Sequence, residues 1–591
     1  MNANHDVLNQ PVPFVDHDLL AVNRPLQDAL KAFLPADRHD ATRAALHALG
    51  TEAGSAALQR HARLANTHPP ELHTHTVQGH RSDTVEFHPS YHVLLGGALR
   101  HGLHGSPWAA PSVIDRSVID HSVRDRSAPG AHLHRAAGFT LWTEAEPSVL
   151  CPVSMTYAVA PSLRGNPALQ ALWGPKLAAR DYDERFVPGH LKSTVTMGMG
   201  MTEKQGGSDV RANTTAATAD GADAWGERAV ITGHKWFFSA PMCDAFLVLA
   251  QAPEGLTCYF VPRFRPDGTL NALRLQRLKD KLGNHANASS EVEFDRASAW
   301  RVGEPGRGVP QILAMGALTR LDCALGTAGL MRQALSLALH HAAQRHAFGR
   351  PLIEQPLMRE VLADLALESE AATWLALRLA AAVDRTESGQ DPSGFEALLR
   401  RVLTPIAKFW VCKRGSGFAQ EAMECLGGNG YVEAGGQVAM ARIYREMPLN
   451  SIWEGAGNIQ SLDLLRALRT GVRSPTGGDG PGTHRTVADA LMTLTAGARA
   501  AHPAAARTGE AVARQLDGDA DEAGARQLAR DVALLVQAAL LHANAAQTEA
   551  GDDLFRCFCD SRLSQASDVY GTLGARAPLD ALLRRAMPWK V

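Results

Sequence analysis

The chain has 591 residues, of which 45% are hydrophobic and 20% charged, with a formal net charge of -2. One hydrophobic core does not keep growing to this length, so we expect several domains. The near-neutral charge provides no global basic field that would recruit nucleic acid or a membrane. Of the eight cysteines, only Cys557 and Cys559 are close, at a spacing that suits neither a zinc pair nor a redox motif. We therefore expect reduced thiols in a soluble, cytoplasmic protein, with no membrane association.

Residues 16 to about 190 are predicted to be mostly helices broken by turns, because apolar residues recur at helical spacing. A five-residue repeat at 112–126 fits no helix or strand period, so we predict an exposed, variable insert at about 105–135 without catalytic content. His73 and His75 could share a metal if they lay on one strand. No acidic or thiol partner stands at a supporting spacing, so we predict no metal site.

Strand and helix patterns alternate along the rest of the chain. Short β-prone runs bounded by Gly, Pro and Asp fill residues 194–299, and long helical patterns follow from Val309 to Arg469. A Gly/Pro/Ser-rich stretch then reads as a flexible linker. We predict five segments: an N-terminal helical domain at 1–193, a middle β-domain at 194–305, a C-terminal helical domain at 306–470, a linker at 471–485 and an extra helical module at 486–591.

Two motifs in the predicted β-domain could form part of a binding site. The first, at 199–209, is a loop with Thr202, Gly207 and Ser208 after a β-prone run. Its backbone N–H groups and hydroxyls could face a phosphate or a polar ring edge, although an ordinary Gly-rich turn is the alternative. The second places Phe237 and Phe238 before Ser239. Aromatic residues on a strand can equally belong to a hydrophobic core.

The segment from Asn450 to Gln460 sets one carboxylate, Glu454, between Trp453 and a Gly-Ala-Gly turn. A helix is predicted to follow, with four apolar residues on one face: Ile459, Leu462, Leu465 and Leu468. An apolar pocket would raise the pKa of the carboxyl group and suit it to accept a proton from a bound molecule. The alternative is an acid in a first helical turn that complements the helix dipole.

Five motifs in a fixed order resemble the acyl-CoA dehydrogenase family over about residues 153–468. They are Met-Thr-Glu…Gly-Ser-Asp, Gly-x-Lys-Trp…Ser, Arg-x-x-Phe-Gly, Leu-Gly-Gly-x-Gly-Tyr and Trp-Glu-Gly. The resemblance implies an α+β, mostly α fold with an N-terminal helical domain, a middle β-sheet domain and a C-terminal four-helix domain, here followed by an extra helical module. It also implies an FAD-dependent oxidoreductase that forms a homotetramer, built as a dimer of dimers.

The same resemblance implies roles for single residues. Glu454 corresponds to the base that takes the α-proton of an acyl thioester, while the β-hydrogen leaves as hydride to the flavin. Arg345 would reach the FAD diphosphate of a neighbouring subunit. The implied cofactor contacts are Met199, Met201, Thr202, Gly207, Ser208, Phe237, Phe238, Ser239, Arg345, Phe348, Gly427, Gly428, Ile452, Trp453, Gly455, Gly457 and Asn458.

One branch of the family is more similar than the rest. The segments Leu8-Asn-Gln-Pro, Pro-Pro-Glu-Leu, Arg277-Leu-Lys-Asp-Lys-Leu-Gly-Asn and Tyr444-Arg-Glu-Met-Pro, together with the extra module, resemble the AidB-type adaptive-response flavoproteins. That resemblance implies weak dehydrogenation of an acyl-CoA similar to isovaleryl-CoA. It also implies binding of double-stranded DNA through the C-terminal region and protection against alkylating agents.

Basic residues that could contact DNA follow the candidate base. Arg466, Arg469 and Arg473 stand at i, i+3 and i+7, and Arg466 matches a DNA-contacting arginine in the AidB pattern. A second basic cluster is formed by Arg584, Arg585 and Lys590. However, the module after residue 471 has nearly equal numbers of basic and acidic residues, and phosphate neutralisation supplies much of DNA affinity. The alternatives are a solvated helix face, and a metabolic acyl-CoA dehydrogenase without a DNA role.

Overall fold

The computed structural model describes residues 6–109, 127–433, 439–469, 486–517, 521–564, 568–574 and 576–589. Most of the predicted insert, the predicted linker with Arg473, and Lys590 lie outside these ranges. The chain forms two compact units. The first comprises Met1–Gln59, His132–Ala145 and Cys323–Val591, and the second comprises Arg60–Ala131 and Glu146–Asp322. Within the described ranges, no helix has the length and apolar character needed to cross a membrane.

The N-terminal region is helical, as predicted, and also contains one short hairpin. Asn side chains accept hydrogen bonds from the first turns of two helices, from Leu26 N to Asn23 and from Leu169 N to Asn166. The elements are α1 (Arg24–Phe33), α2 (His39–Ala53), α3 (Ala56–Thr67), β1 (Glu71–His75), β2 (Arg81–Glu86), α4 (Pro89–Arg100), α5 (Ala131–Thr143), α6 (Leu150–Ala158), α7 (Ala160–Leu163) and α8 (Pro167–Ala178).

The two histidines considered as metal ligands lie together on strand β1. His73 and His75 are both exposed, and His73 contacts only one carboxylate, Glu86, at 3.1 Å. In the ranges that the structure describes, no group of three potential ligands could hold a metal ion. The hairpin itself was not predicted, because its strands are short and polar.

The middle of the chain forms a seven-stranded sheet. The strand order is β3-β6-β4-β5-β9-β7, β7 also pairs with β6, and β8 pairs with β9, so the sheet closes on itself. Closure protects strand edges. The predicted β-prone runs fall within β6, β7 and β9. The strands are β3 (Met197–Gly200), β4 (Ala216–Asp223), β5 (Gly226–Ser239), β6 (Ala245–Ala252), β7 (Gly255–Pro262), β8 (Leu273–Leu278) and β9 (Ser289–Val302).

Long helices follow the sheet, as the helical patterns predicted. Helix α11 packs against α10, α13 and α14, and this assembly forms the predicted C-terminal helical domain. A small hairpin lies between α9 and α10. The elements are α9 (Gly308–Gln344), β10 (His346–Ala347), β11 (Arg350–Pro351), α10 (Pro356–Glu387), α11 (Phe395–Cys425), α12 (Gly428–Tyr431), α13 (Met440–Asn450) and α14 (Gly457–Arg469).

The extra helical module packs on helices of the C-terminal helical domain rather than standing apart from them. Its first helix is capped by Thr486, whose hydroxyl accepts a hydrogen bond from Asp489 N at 3.0 Å. Helix α17 contacts α10, α11 and α14, and α19 contacts α1 and α10. The helices are α15 (Val487–Ala501), α16 (Pro503–Asp517), α17 (Ala525–Ala543), α18 (Gly551–Phe558), which continues as a π-helix at Cys559–Ser564, and α19 (Leu579–Ala586).

Ion pairs inside the first unit hold this module in place. Arg585 of α19 is 2% exposed and donates to Glu370 of α10 at 2.6 Å and to Asp28 of α1 at 2.9 Å. The second basic cluster proposed for DNA is therefore wrong for Arg585, whose charge is neutralised inside the protein. Arg584, its exposed neighbour, faces Glu549 at 3.7 Å.

A second buried carboxylate of α10 also pairs with a module arginine. Glu368 lies 3.1 Å from Arg562 and 3.2 Å from Arg414 of α11. Burial alone would raise the pKa of Glu368, but the two guanidinium groups outweigh it and hold this pKa below its ordinary value. An acid with a lowered pKa stabilises the folded state above its unfolded pKa of about 4.3. This stabilisation is lost as the pH falls through the folded value.

Replacing Arg585 should destabilise the protein strongly. R585L leaves Glu370 buried without its guanidinium partner, and breaking such a pair costs about 3–5 kcal/mol. The matched control is R24L, which removes the exposed contact between α1 and Glu549 and should cost about 1 kcal/mol or less. Urea unfolding measures both. Equal, small effects would show that the Arg585 pair does not anchor the module.

Candidate active site

A buried ion pair fixes the loop that follows β3. Glu203 accepts a hydrogen bond from Lys235 Nζ at 2.7 Å and another from Thr214 N at 2.7 Å. Both side chains of the pair are fully buried. Burial alone would raise the pKa of Glu203, but hydrogen bonds from Lys235 and Thr215 lower it to about 2. The carboxylate therefore stays ionised and fixes the loop to β5.

The loop makes a tight turn between Glu203 and Gly206. Glu203 N donates to Gly206 O at 3.1 Å, and Gly206 N donates to Glu203 O at 3.0 Å. A Cβ atom at Gly207 would lie 2.3 Å from Oγ1 of Thr202, so a larger residue there would require the Thr202 side chain or the loop to shift. Ser208, next along the loop, is exposed. Thr202 is partly exposed and Ser208 is exposed on this loop, and their contact with a ligand stays a prediction.

A β-bulge in β5 decides which aromatic residue faces outward. Lys235 pairs with Val292 and Phe238 with Ser290, so three residue steps on β5 oppose two on β9. Lys235 and Phe238 are both fully buried, whereas Phe237 is 52% exposed. Phe238, proposed to line a cofactor, instead packs in the core with its ring centroid 4.2 Å from that of Phe246. The core alternative is right for Phe238, and Phe237 remains the candidate contact.

Strand β3 accommodates these buried rings through its glycines. A Cβ at Gly200 would lie 2.8 Å from Phe238, and one at Gly198 would lie 2.6 Å from Phe246. Because side chains alternate along a strand, Met199 and Met201 face away from these rings. The outward side of this part of the second unit therefore carries two methionines and a half-exposed phenylalanine. Ser239 adds a hydroxyl 3.4 Å from that of Ser289.

In the first unit, the Arg-x-x-Phe-Gly motif forms the hairpin of β10 and β11. Phe348 and Gly349 occupy its turn with φ of 53° and 82°, as a two-residue turn of this kind requires. Asn9 binds the hairpin on both sides, accepting from His346 N at 2.7 Å and donating to His346 O at 2.8 Å. Arg345 also donates to Asn9 O. The phenyl ring of Phe348 is 97% exposed.

The Leu-Gly-Gly-x-Gly-Tyr motif begins α12 in the same unit. Gly427 has φ of 58° and ψ of -143°, a conformation that favours glycine. A Cβ at Gly427 or Gly428 would meet no other part of the described chain within 4 Å. Gln10 accepts a hydrogen bond from Asn429 at 3.3 Å. The N-terminal Asn-Gln pair therefore contacts two of the motifs, which the sequence did not suggest.

The candidate base lies in a turn that is held by its neighbours. Glu454 is half-buried and has φ of 59°, an unusual value for a residue other than glycine. Gln460 Nε2 donates to the carbonyl oxygens of Glu454 at 3.1 Å and Gly455 at 2.9 Å. The buried Lys408 donates to Gly455 O at 3.0 Å. These bonds fix the backbone on which the carboxylate stands.

The neighbouring aromatic residue is fixed by a chain of hydrogen bonds. Trp453 Nε1 donates to Asn450 at 3.0 Å, and Asn450 donates to Thr327 Oγ1 at 3.1 Å. Ile452, predicted beside it, is 61% exposed. A helix follows as predicted: α14 begins at Gly457. Of the four apolar residues predicted to share one face, only Leu465 is buried, and Leu464 and Ala467 are buried beside it.

Helix α14 also contacts the extra module at its first turn. Arg526 of α17 donates to Asn458 Oδ1 at 2.7 Å, and its guanidinium lies 5.5 Å from the centre of the Phe409 ring. At the other end of the helix, Arg466 and Arg469 are exposed, as a binding face would need.

Several supporting residues were missed by the sequence interpretation. Their partners are distant in the chain or are backbone atoms, so no local spacing marks them. For the Glu203–Lys235 pair the sequence offered one signal. A glutamate and a lysine stand in segments that are otherwise apolar or that belong to a motif. The missed residues are Asn9, Gln10, Glu203, Lys235, Lys408, Asn450, Gln460 and Arg526.

Both units offer features that suit a bound flavin. In the second unit, an apolar outward face lies beside the hydroxyls of Thr202 and Ser239. In the first, open space borders Gly427 and Gly428, where a side chain would otherwise stand. Such glycines allow a ligand to approach the backbone closely. The chain's own groups therefore fit the cofactor that the motifs imply.

Comparison with known proteins supports this assignment. Residues 9–184 match the adaptive response protein AidB N-terminal domain, residues 198–297 the acyl-CoA dehydrogenase middle domain, and residues 306–469 the acyl-CoA dehydrogenase C-terminal domain. The chain is 46% identical to AidB of Escherichia coli (strain K12), over 78% of this chain and 80% of that protein. Acyl-CoA dehydrogenase family member 11 of Caenorhabditis elegans is 30% identical, over 60% of this chain and 57% of the relative.

A solved structure shares the whole architecture. The crystal structure of Caenorhabditis elegans ACDH-11 in complex with C11-CoA superposes with a TM-score of 0.79 at 25% sequence identity, covering 96% of this chain and 95% of that one. Both chains have helical N-terminal and C-terminal regions, with a β-sheet domain between them in the sequence. The chain belongs to the acyl-CoA dehydrogenase family, in its AidB-like branch, and is an FAD-dependent flavoprotein oxidoreductase of the acyl-CoA dehydrogenase type.

Proposed function

We propose that this flavoprotein oxidises an acyl-CoA to its α,β-unsaturated product, with Glu454 as the base. The observation that carries the proposal is the turn at Glu454, whose positive φ is maintained by hydrogen bonds from Gln460 and Lys408. A strained backbone of this kind costs of order 1–3 kcal/mol and persists where function requires it. Asp16 and Asp83 also have a positive φ, but neither belongs to one of the five ordered motifs.

The proposed reaction divides the work between the cofactor and the chain. FAD, when bound, accepts the β-hydrogen of the substrate as hydride. The Glu454 carboxylate takes the α-proton, and the electron pair of that C–H bond forms the new double bond. Trp453 and Ile452 give the acyl group an apolar surface, while Met199, Met201, Thr202, Ser208, Phe237 and Ser239 would hold the flavin.

The acyl-CoA substrate class is supported by a relative. The ACDH-11 structure was solved in complex with C11-CoA. For the present chain we propose a short branched acyl group similar to that of isovaleryl-CoA, from the resemblance of its motifs. The proposed diphosphate contact of Arg345 is supported by its position on a hairpin whose turn is exposed.

Replacing the base should stop flavin reduction without releasing the cofactor. E454Q keeps the shape of the side chain but removes the proton acceptor, a contribution of about 10²–10⁴-fold. Anaerobic bleaching of FAD by isovaleryl-CoA measures the rate, and E424Q, an exposed carboxylate of α11, is the control. Bleaching by E454Q at the wild-type rate would remove Glu454 from the mechanism.

Replacing Gly207 should weaken FAD binding. G207A places a methyl group 2.3 Å from Thr202 Oγ1, so either the hydroxyl or the loop must move. We expect at least about a tenfold increase in the dissociation constant, which corresponds to about 1.4 kcal/mol. Fluorescence titration of the apoprotein measures it. The control G174A lies inside α8 with no atom near its Cβ and should bind FAD as the wild type does.

A second proposed function is binding of double-stranded DNA, with protection during alkylation stress. It is supported by Arg466 and Arg469, which are exposed in the last turn of α14, and by the similarity to AidB. The module's near-neutral charge and the burial of Arg585 limit the surface available to phosphates. A metabolic enzyme without a DNA role is the competing proposal.

Measuring duplex binding at increasing salt concentration distinguishes a DNA-binding protein from a metabolic enzyme without a DNA role. Each phosphate contact adds about one to the slope of log K against log salt. R466A should lower affinity across all sequences and reduce that slope by about one, whereas R507A, an exposed arginine of α16, should change neither. Absence of duplex binding at low salt, or a duplex affinity and salt slope that R466A leaves unchanged, would favour the metabolic enzyme.

We also propose a homotetramer. Its support is the apolar surface of the first unit, where Phe348, Leu357 and Tyr431 are each at least 80% exposed. Surfaces of this kind are usually covered by a partner. Light scattering of the FAD-loaded protein gives the mass, and a monomer at micromolar concentration would contradict the proposal.

A further inference from the structure

A separate cavity lies within the second unit, at the opposite end of β3 from the candidate flavin loop. It has a volume of about 80 Å³ and is lined by Thr196 and Asp244, the residues that precede the parallel strands β3 and β6. Thr202 stands six residues after Thr196, beyond the other end of β3, about 20 Å away at the rise of an extended chain. The cavity therefore belongs neither to the loop at 201–209 nor to the turn at Glu454.

Most charged groups that line the cavity contact one another. Lys192 and Asp244 form a buried ion pair at 2.9 Å. Two further pairs are Asp183 with Arg185 at 2.7 Å and Glu184 with His92 at 3.2 Å. Each of these acids therefore has a contact partner among the described residues, and Arg263 remains to be explained.

Arg263 is buried without a carboxylate of its own. It is 2% exposed, and its hydrogen bond runs from Nη2 to the carbonyl oxygen of Asp83 at 2.8 Å. The Asp83 carboxylate is instead bound by Arg81 at 2.9 Å. Nε of Arg263 has no hydrogen-bond partner, and no carboxylate of the described chain lies within ion-pair distance of this guanidinium.

The charge of Arg263 persists at neutral pH. Burial lowers the pKa of its guanidinium, but only to about 10. A buried cation with an unused donor is costly unless an anion pairs with it. The guanidinium is therefore suited to accept a carboxylate, which it can bind through two parallel N–H groups.

The remaining wall of the cavity is aromatic and apolar. Phe87 stacks on Tyr91 with ring centroids 4.0 Å apart, and the Arg263 guanidinium lies 5.2 Å from the centre of the Phe186 ring. Tyr182 completes this wall with its hydroxyl 2.8 Å from His92 Nδ1. We propose that this cavity binds a small organic monocarboxylate, with the carboxylate against Arg263 and the apolar body against the aromatic rings.

The volume is consistent with such a ligand. A single water needs about 10–15 Å³ of comparable space, so a cavity of about 80 Å³ accepts a molecule of several heavy atoms. Benzoate is a suitable probe, and benzyl alcohol is its uncharged counterpart of nearly the same shape.

Calorimetric titration of the FAD-loaded full chain with both probes tests the proposal. Benzoate should bind to saturation without changing the flavin absorbance spectrum, and benzyl alcohol should bind at least ten times more weakly. R263M, which keeps the length of the side chain but removes its charge, should weaken benzoate binding at least tenfold. The control R265M changes an exposed arginine two residues away and should bind as the wild type does.

A second variant distinguishes loss of the proposed carboxylate contact from a general structural effect of R263M. M242W fills the cavity from its lining while leaving Arg263 in place, and should also abolish benzoate binding. Equal binding of the two probes, no binding of benzoate, or benzoate binding that survives in R263M or M242W would overturn the proposal. The outcome is independent of the reaction at Glu454, since reduction of the flavin by acyl-CoA should proceed at the wild-type rate in R263M.

Discussion

Buried carboxylates of α10 are the constraint on which the first unit depends. Glu368 and Glu370 are both buried, and buried carboxylates are costly unless cations pair with them. Those cations come from elsewhere in the chain: Arg414 from α11, and Arg562 and Arg585 from the extra module. Because each pair is costly to break, the module is fixed to the dehydrogenase helices by charge as well as by packing. The same pairs remove Arg562 and Arg585 from the basic surface of the module, whereas other arginines of this segment, such as Arg507 and Arg556, are exposed.

The second unit follows a related principle on a smaller scale. The Glu203–Lys235 pair ties the loop after β3 to β5, and the bulge that follows Lys235 turns Phe237 outward while keeping Phe238 inside. A buried charge and a register shift together shape the surface that the flavin is expected to meet. In both units, therefore, ionised groups away from the reacting atoms determine where the candidate site residues stand.

Much of this organisation could be predicted from the sequence, since element types follow from local periodicity. The long helices α9 and α10 and strands β6, β7 and β9 were predicted correctly for that reason. What could not be predicted depended on partners far along the chain. The opposite orientations of Phe237 and Phe238 result from pairing with β9, and the buried position of Arg585 depends on Asp28 and Glu370. Similarly, Asn9 supports the Arg345 hairpin across more than three hundred residues, which no local pattern reveals.

The hydrogen bond from Arg526 to Asn458 has a consequence for exchanging parts between relatives. One partner belongs to the dehydrogenase helix α14 and the other to the module helix α17. A chimaera joined between α14 and α17 would take the acceptor, Asn458, from one parent. The residue at the donor position, 526, would then come from the other parent. The two positions should therefore be exchanged together, and a junction placed outside the pair keeps donor and acceptor from the same parent.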